Sequence, residues 1–161
     1  MQKNYLFLLW ILAITFLGFK PGNEVTRIDG VCNLLDKKIN EGKLTEVQYP
    51  GMSKYVMNLT GYKENNEWVM IKGAFNLEEG QMLKYTYYYE KGKIISQTIK
   101  RISLMENGRV KETIKGYFSG DKLMRYIKNG KNISLSDKTL DSEKTSMIEY
   151  AYGVISELES K

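Results

Sequence analysis

The sequence predicts an α+β fold: an antiparallel β-meander of about six or seven strands, forming a curled sheet or partly open barrel, with an N-terminal and a C-terminal helix. Three observations carry that expectation. Turn chemistry recurs at short intervals between residues 53 and 136. The segments between the turns are rich in Val, Ile, Tyr, Phe and Thr, and apolar stripes at helical spacing occur near the two ends of the chain.

Ahead of these elements, Tyr5 to Phe19 form an apolar run of fifteen residues between Lys3 and Lys20. A basic start followed by an apolar core of about 7 to 15 residues is the pattern of a secretory signal. Residues 1–22 are therefore read as a signal peptide, or as an N-terminal membrane anchor if uncleaved, and residues 23–161 as a single α+β domain. Cleavage is favoured, because the uncharged window from Asn4 to Phe19 falls short of the roughly 20 apolar residues of a spanning helix. The cleavage site itself is poorly specified: Gly18 and Gly22 are the small candidates, and Phe16 stands where a small side chain is preferred before Gly18. Cys32, preceded by Asp29-Gly30-Val31, does not fit a lipidation site. The expected location is exported: periplasmic, cell-envelope or secreted.

The first helix of the domain is expected at about residues 24–41. Ile28, Cys32, Leu35 and Ile39 share one stripe, Asp29, Asp36, Lys37 and Lys38 lie off it, and Gly42 supplies the stop. Pro50-Gly51 marks a turn, which leaves Lys43 to Tyr49 as a short strand or an extended connection. Strands follow at about 53–62, 66–76, 81–90, 93–105, 109–119, 122–128 and 131–135, separated by the turn signals at 63–66, 78–80, 91–92, 107–108, 119–121 and 129–130. The closing helix carries Met147, Ile148, Ala151, Ile155 and Leu158 on its apolar stripe, with Asp141 or Ser142 as cap. Gly153 weakens that helix by about 1 kcal/mol relative to alanine, and close approach of the helix to the sheet is the expected reason for it. A lipocalin-like barrel would place Gly-x-Trp near its first strand; here Trp68 follows Asn66-Glu67 in a later strand, so the chain is not assigned to that family.

Composition excludes more chemistry than it suggests. The chain has no histidine and one cysteine, which removes the Ser-His-Asp and Cys-His arrangements, the commonest transition-metal ligand and any intrachain disulfide. Cys32 is expected to be a small core residue, with interchain pairing as the alternative. Removing Lys3 and Lys20 leaves 22 basic against 19 acidic side chains, a mild excess that gives no reason to expect nucleic acid as a partner. No glycine loop suited to phosphate and no selected pair of catalytic carboxylates is evident. No cofactor and no metal are expected.

The remaining signal for a site comes from one hairpin. A two-residue type I′ turn at Asn107-Gly108 pairs Glu106 with Arg109, Ser103 with Glu112, Arg101 with Ile114 and Gln97 with Phe118. Arg101 and Glu112 then share a mainly apolar face with Gln97 and Ser103 as diagonal neighbours within reach of an ion pair. Two charges on such a face point to a concave, partly solvated surface, or else to an exposed sheet edge. The opposite face brings Lys100, Lys115 and Lys111 together, a self-repelling group that calls for water or an anionic partner. Tyr85, Tyr87 and Tyr89 alternate along one strand and suit a buried ladder, whereas Tyr88, beside Lys84 and Thr86, is the expected exposed contact.

Arg101, Glu112, Gln97, Ser103 and Tyr88 are thus the candidate ligand-binding residues, and none is assigned a catalytic role. The function expected is an exported, non-catalytic binding module that holds a protein or a small apolar ligand on a curved sheet face. Membrane contact is expected only through residues 5–19, if uncleaved. The alternatives are a structural or inhibitor-type protein acting through exposed tyrosines and, third, a hydrolase.

Overall fold

The computed structural model describes residues 21–50, 56–77, 80–137 and 140–159; the run Tyr5–Phe19, and with it the signal-peptide expectation, lies outside them, as do Gly51 and the start of the strand expected from residue 53. The elements are α1 (Pro21–Asn40), β1 (Thr45–Pro50), β2 (Val56–Glu64), β3 (Glu67–Leu77), β4 (Gln81–Glu90), β5 (Lys93–Ser103), β6 (Arg109–Ser119), β7 (Lys122–Lys128), β8 (Lys131–Ile133) and α2 (Leu140–Glu159). The α+β meander forms as expected, with eight strands in place of six or seven. The added strand is β1, which pairs along its length with β2 from Thr45↔Lys63 to Pro50↔Asn58. The strands lie in sequence order in one antiparallel sheet, and β1 and β8 do not pair among the described residues, so the sheet is open. No described helix is long and apolar enough to cross a membrane.

Turn chemistry sets this topology. Asn65-Asn66, Lys91-Gly92, Gly120-Asp121 and Asn129-Gly130 all take positive φ at both residues and join strands whose flanking residues pair directly. That is the mirror-image turn whose twist matches the flanking strands. Gly42, at φ 66°, ends α1 in a Schellman arrangement: the Lys43 amide donates to Lys38 O and the Gly42 amide to Ile39 O.

The hairpin at Asn107-Gly108 departs from the expected register. Both residues are left-handed and the Arg109 amide donates to Glu106 O at 3.0 Å, so the tight turn does form. Pairing, however, resumes only at Ser103↔Arg109, because Leu104 to Glu106 loop out and the Gly108 amide donates to Ser103 O. A bulge at Lys111 then adds one residue to β6. The loop shifts the register by an odd number of residues and the bulge restores the parity. Arg101 consequently faces Glu112 directly, and Ile99 faces Ile114.

Each face of the sheet carries one helix. On one face, α1 buries Val25, Ile28 and Cys32 against Ile95 and Tyr117, and Leu35 is buried one turn further along the helix. On the other face α2 buries Met147, Ala151, Val154 and Leu158 against Tyr87, Tyr89, Ile94, Phe118 and Tyr126. Cys32 is a buried free thiol, and burial pushes its pKa up to about 11.

Polar contacts complete both dockings, and most come from tyrosine hydroxyls. Tyr88 donates to Asp36 at 2.9 Å and Tyr117 to Asp29 at 2.9 Å, both on α1. Tyr89 donates to Ala151 O at 2.8 Å, Tyr126 to Glu143 at 2.5 Å and Tyr49 to Leu158 O at 3.0 Å, all on α2. The lysine cluster also resolves here. Lys115 donates to Asp29 at 2.8 Å under α1, whereas Lys100 faces Thr113 and Lys84. The anionic partner of Lys115 is therefore a helix of the same chain.

Close approach of α2 is accommodated at Gly116, where a Cβ would lie 2.8 Å from Met147 Cε. Gly153, expected to serve that purpose, is exposed and has nothing within 4 Å of the Cβ position. Gly153→Ala should accordingly stabilise the fold by about 1 kcal/mol, read as a rise in the midpoint of chemical unfolding.

Burial holds the hydroxyls of Tyr87, Tyr88, Tyr89 and Tyr126 above their ordinary range, reinforced at Tyr88 by Asp36 and at Tyr126 by Glu143. Lys115 is also raised: burial alone would lower it, but Asp29 and Tyr117 outweigh that. These groups stay protonated in the folded state at a pH where the unfolded chain has begun to lose protons. Stability should hold at neutral pH and fall as pH rises past about 10, the ordinary tyrosine and lysine range. Thermal unfolding from about pH 8 to pH 11 tests this, and Tyr88→Phe should flatten part of the decline.

Candidate functional site: a groove beside the C-terminal helix

The position of α2 creates the site. Leu140 and Glu143 sit over β7, Met147 over Gly116 of β6, Ala151 over Tyr89 of β4, and Leu158 and Glu159 reach Tyr49 of β1 and Trp68 of β3. The helix thus crosses the strands and lies toward the end of the sheet bearing the 91–92 and 120–121 turns, where Tyr152 donates to Asp121. Toward the other end, the same face is left open.

The two faces treat their uncovered halves differently. Beyond α1, the paired positions are mainly polar, Lys72, Lys84, Thr86, Thr98, Lys100 and Thr113, with an apolar row of Met82, Ile102 and Val110 at the far edge. Beyond α2 they include Phe75, Leu83, Ile99 and Ile114, joined by the exposed Leu77, next to the polar Gln81, Arg101 and Glu112. These apolar residues form a contiguous hydrophobic patch that no element of the described chain covers.

Two adjoining cavities fill this half. A mainly apolar arm of about 350 Å³ is lined by Phe75, Asn76, Leu77, Leu83, Tyr85, Tyr87, Ile99 and Tyr150. A polar arm of about 360 Å³ is lined by Gln97, Arg101, Glu112, Lys128, Glu143 and Ser146, with Tyr126, Met147 and the shared residues Leu83, Ile99 and Tyr150. Each arm falls within the range of about 300–1,000 Å³ usual for small-ligand sites. Tyr150, 62% exposed, stands where the arms meet. The stacked ladder continues into the apolar arm: the Phe75 and Tyr85 ring centroids are 4.8 Å apart and those of Tyr85 and Tyr87 5.2 Å.

Charge in the polar arm is partly settled within it. Glu112 pairs with Lys128 at 2.7 Å, not with Arg101, and that carboxylate holds Lys128 above the ordinary lysine value. Glu143 accepts the Tyr126 hydroxyl. Arg101 has no ion pair among the described residues. Gln97 is fully buried, and neither its Nε2 nor its Oε1 has a hydrogen-bond partner among the described residues.

Three of the five candidate residues, Gln97, Arg101 and Glu112, therefore come together in one groove. Ser103 does not join them: it is buried at the base of the Leu104–Gly108 loop, where its carbonyl accepts the Gly108 amide. Tyr88 lies on the opposite face, half-buried against α1 with its hydroxyl on Asp36, so its expected exposure is corrected. The strand pattern put Tyr88 on the polar side, but nothing local indicated that α1 would cover it.

Lys128, Glu143, Ser146 and Tyr150 were missed because they reach the groove from β7 and α2. The available signal was Tyr150, an aromatic residue off the apolar stripe of α2. Among the described residues, no cluster of three or more acidic or cysteine side chains could hold a metal. No family model, curated protein or solved structure matches this chain.

An unpartnered buried amide costs about 1–3 kcal/mol. Gln97→Met keeps the volume and removes the polar atoms, so it should raise the midpoint of thermal unfolding of the ligand-free protein. A lowered midpoint would show that the amide has a stabilising partner.

Proposed function

We propose that this chain is an exported, non-catalytic binding module that holds a small, largely apolar ligand in the groove between α2 and the uncovered half of the sheet. The observation that carries this reading is the retention of Phe75, Leu83, Ile99 and Ile114 beside a cavity on a surface that α2 leaves open, whereas the positions next to α1 are mainly lysine and threonine and turn apolar only at the edge row Met82, Ile102 and Val110. A half-covered face serves binding well: Tyr87, Tyr89 and Phe118 hold the helix in place, and the floor beside it stays available. The proposal of export rests on the basic start and apolar run Lys3–Phe19, and places the module in the periplasm, the cell envelope or the exterior.

A surface built on exposed tyrosines has less behind it, since of the described tyrosines only Tyr150 is exposed. A hydrolase has one observation in its favour, the presence of Glu112 and Glu143 in the same polar arm. Each is already engaged, by Lys128 and by the Tyr126 hydroxyl respectively.

The groove should bind the uncharged fluorescent probe N-phenylnaphthylamine. Leu83→Glu and Ile99→Lys, each placing a charge on the apolar floor, should weaken that binding at least about tenfold while circular dichroism remains that of the wild type. Unchanged probe binding in both variants would remove the groove as the site. Native mass spectrometry of protein taken from its host compartment would read the mature N-terminus and any retained ligand together.

A further inference from the structure

The polar arm narrows the chemistry of the ligand, taking the groove reading above as its basis. Gln97 and Arg101 lie on the same face of β5, four residues apart, a separation of about 13 Å along the strand. Between them on that face is Ile99, apolar and half-buried. Gln97 is fully buried and offers one donor and one acceptor without partners. Arg101 is exposed and offers a cation whose cross-strand neighbour, Glu112, is already neutralised by Lys128. The arm thus presents a deep amide, an apolar spacer and a cation at the mouth.

Each group selects a partner. The amide needs a group that donates to Oε1 and accepts from Nε2, which a hydroxyl does with one oxygen and a carboxylate cannot. The guanidinium pairs best with a carboxylate, and at the exposed end of the arm that charge keeps much of its hydration. We propose that the groove takes a hydroxylated amphipathic carboxylate, with its hydroxyl on Gln97, its apolar body over Ile99, Leu83 and Tyr150, and its carboxylate on Arg101. A buried amide that has no partner among the described residues is then satisfied by the ligand hydroxyl, which favours this class over plain hydrocarbons.

Calorimetric titration of the purified protein with ω-hydroxydecanoate, decanoate and decanol tests the assignment. The expected result is that ω-hydroxydecanoate binds about tenfold more tightly than either of the others. Arg101→Gln should weaken both carboxylates about tenfold and leave decanol unchanged, and Gln97→Met should abolish the preference for ω-hydroxydecanoate over decanoate. If Gln97→Met fails to fold, the wild-type order of the three probes decides alone. Wild-type affinities within about twofold of one another, or an order unchanged by both variants, would overturn the hydroxy-carboxylate assignment and leave the apolar groove standing. Failure of all three probes to bind would overturn both.

Discussion

The arrangement of this protein depends on how its two helices are held to one sheet without a disulfide. Apolar contact alone would let each helix slide or rotate over the pleated surface, because the hydrophobic effect is non-directional. Tyrosine hydroxyls supply the direction. Tyr88 and Tyr117 reach Asp36 and Asp29 on one side, and Tyr49, Tyr89 and Tyr126 reach Leu158, Ala151 and Glu143 on the other. Each bond contributes only about 1 kcal/mol net. Each also fixes a distance and satisfies a buried polar atom that would otherwise be costly.

The groove follows from that fixed position. Contacts at Met147, Ala151 and Leu158 set the line of α2 across the strands, and Gly116 lets the helix come close enough to seal the half beneath it. The floor beyond that line is uncovered because one helix is narrower than the sheet is long. Eleven-residue strands such as β3, β5 and β6 extend past the helix, and their far ends carry the groove residues. The same excess length on the α1 face is filled mainly with lysine and threonine, ending in Met82, Ile102 and Val110. Strand length therefore accounts for the exposure, and residue choice for its character.

The lone cation and the unpaired amide fit the same account. Glu112 could serve either Arg101 or Lys128, and the fold gives it to Lys128. This choice depends on the register of two hairpins at once, since Arg101 reaches Glu112 across the β5–β6 pairing and Lys128 across the β6–β7 pairing. A further one-residue shift in either pairing would change the partner, so the charge left at the mouth of the groove is a consequence of strand register.

Fold class was legible in the amino-acid sequence because its causes are local. The mirror-image turns follow from Asn, Gly and Asp at fixed places, the end of α1 from Gly42, and the buried faces of both helices from stripes that need no partner to be read. The common face of Gln97, Arg101 and Glu112 was also legible, although the pairing behind it shifted: the extra loop and the bulge at Lys111 together preserved the alternation. Three matters were decided by tertiary structure. Asp29 and Asp36 look like solvated helix positions until Lys115, Tyr117 and Tyr88 are brought beneath them. Gly153 looks like a packing glycine until α2 turns it outward. The groove itself required β3 to β7 and α2 in their final positions, because its walls come from residues up to 75 positions apart, from Phe75 to Tyr150. Local sequence determines which way a side chain points along its own element. What it meets there depends on the packing of elements distant in the chain, and here that packing separates a sealed core from an open groove.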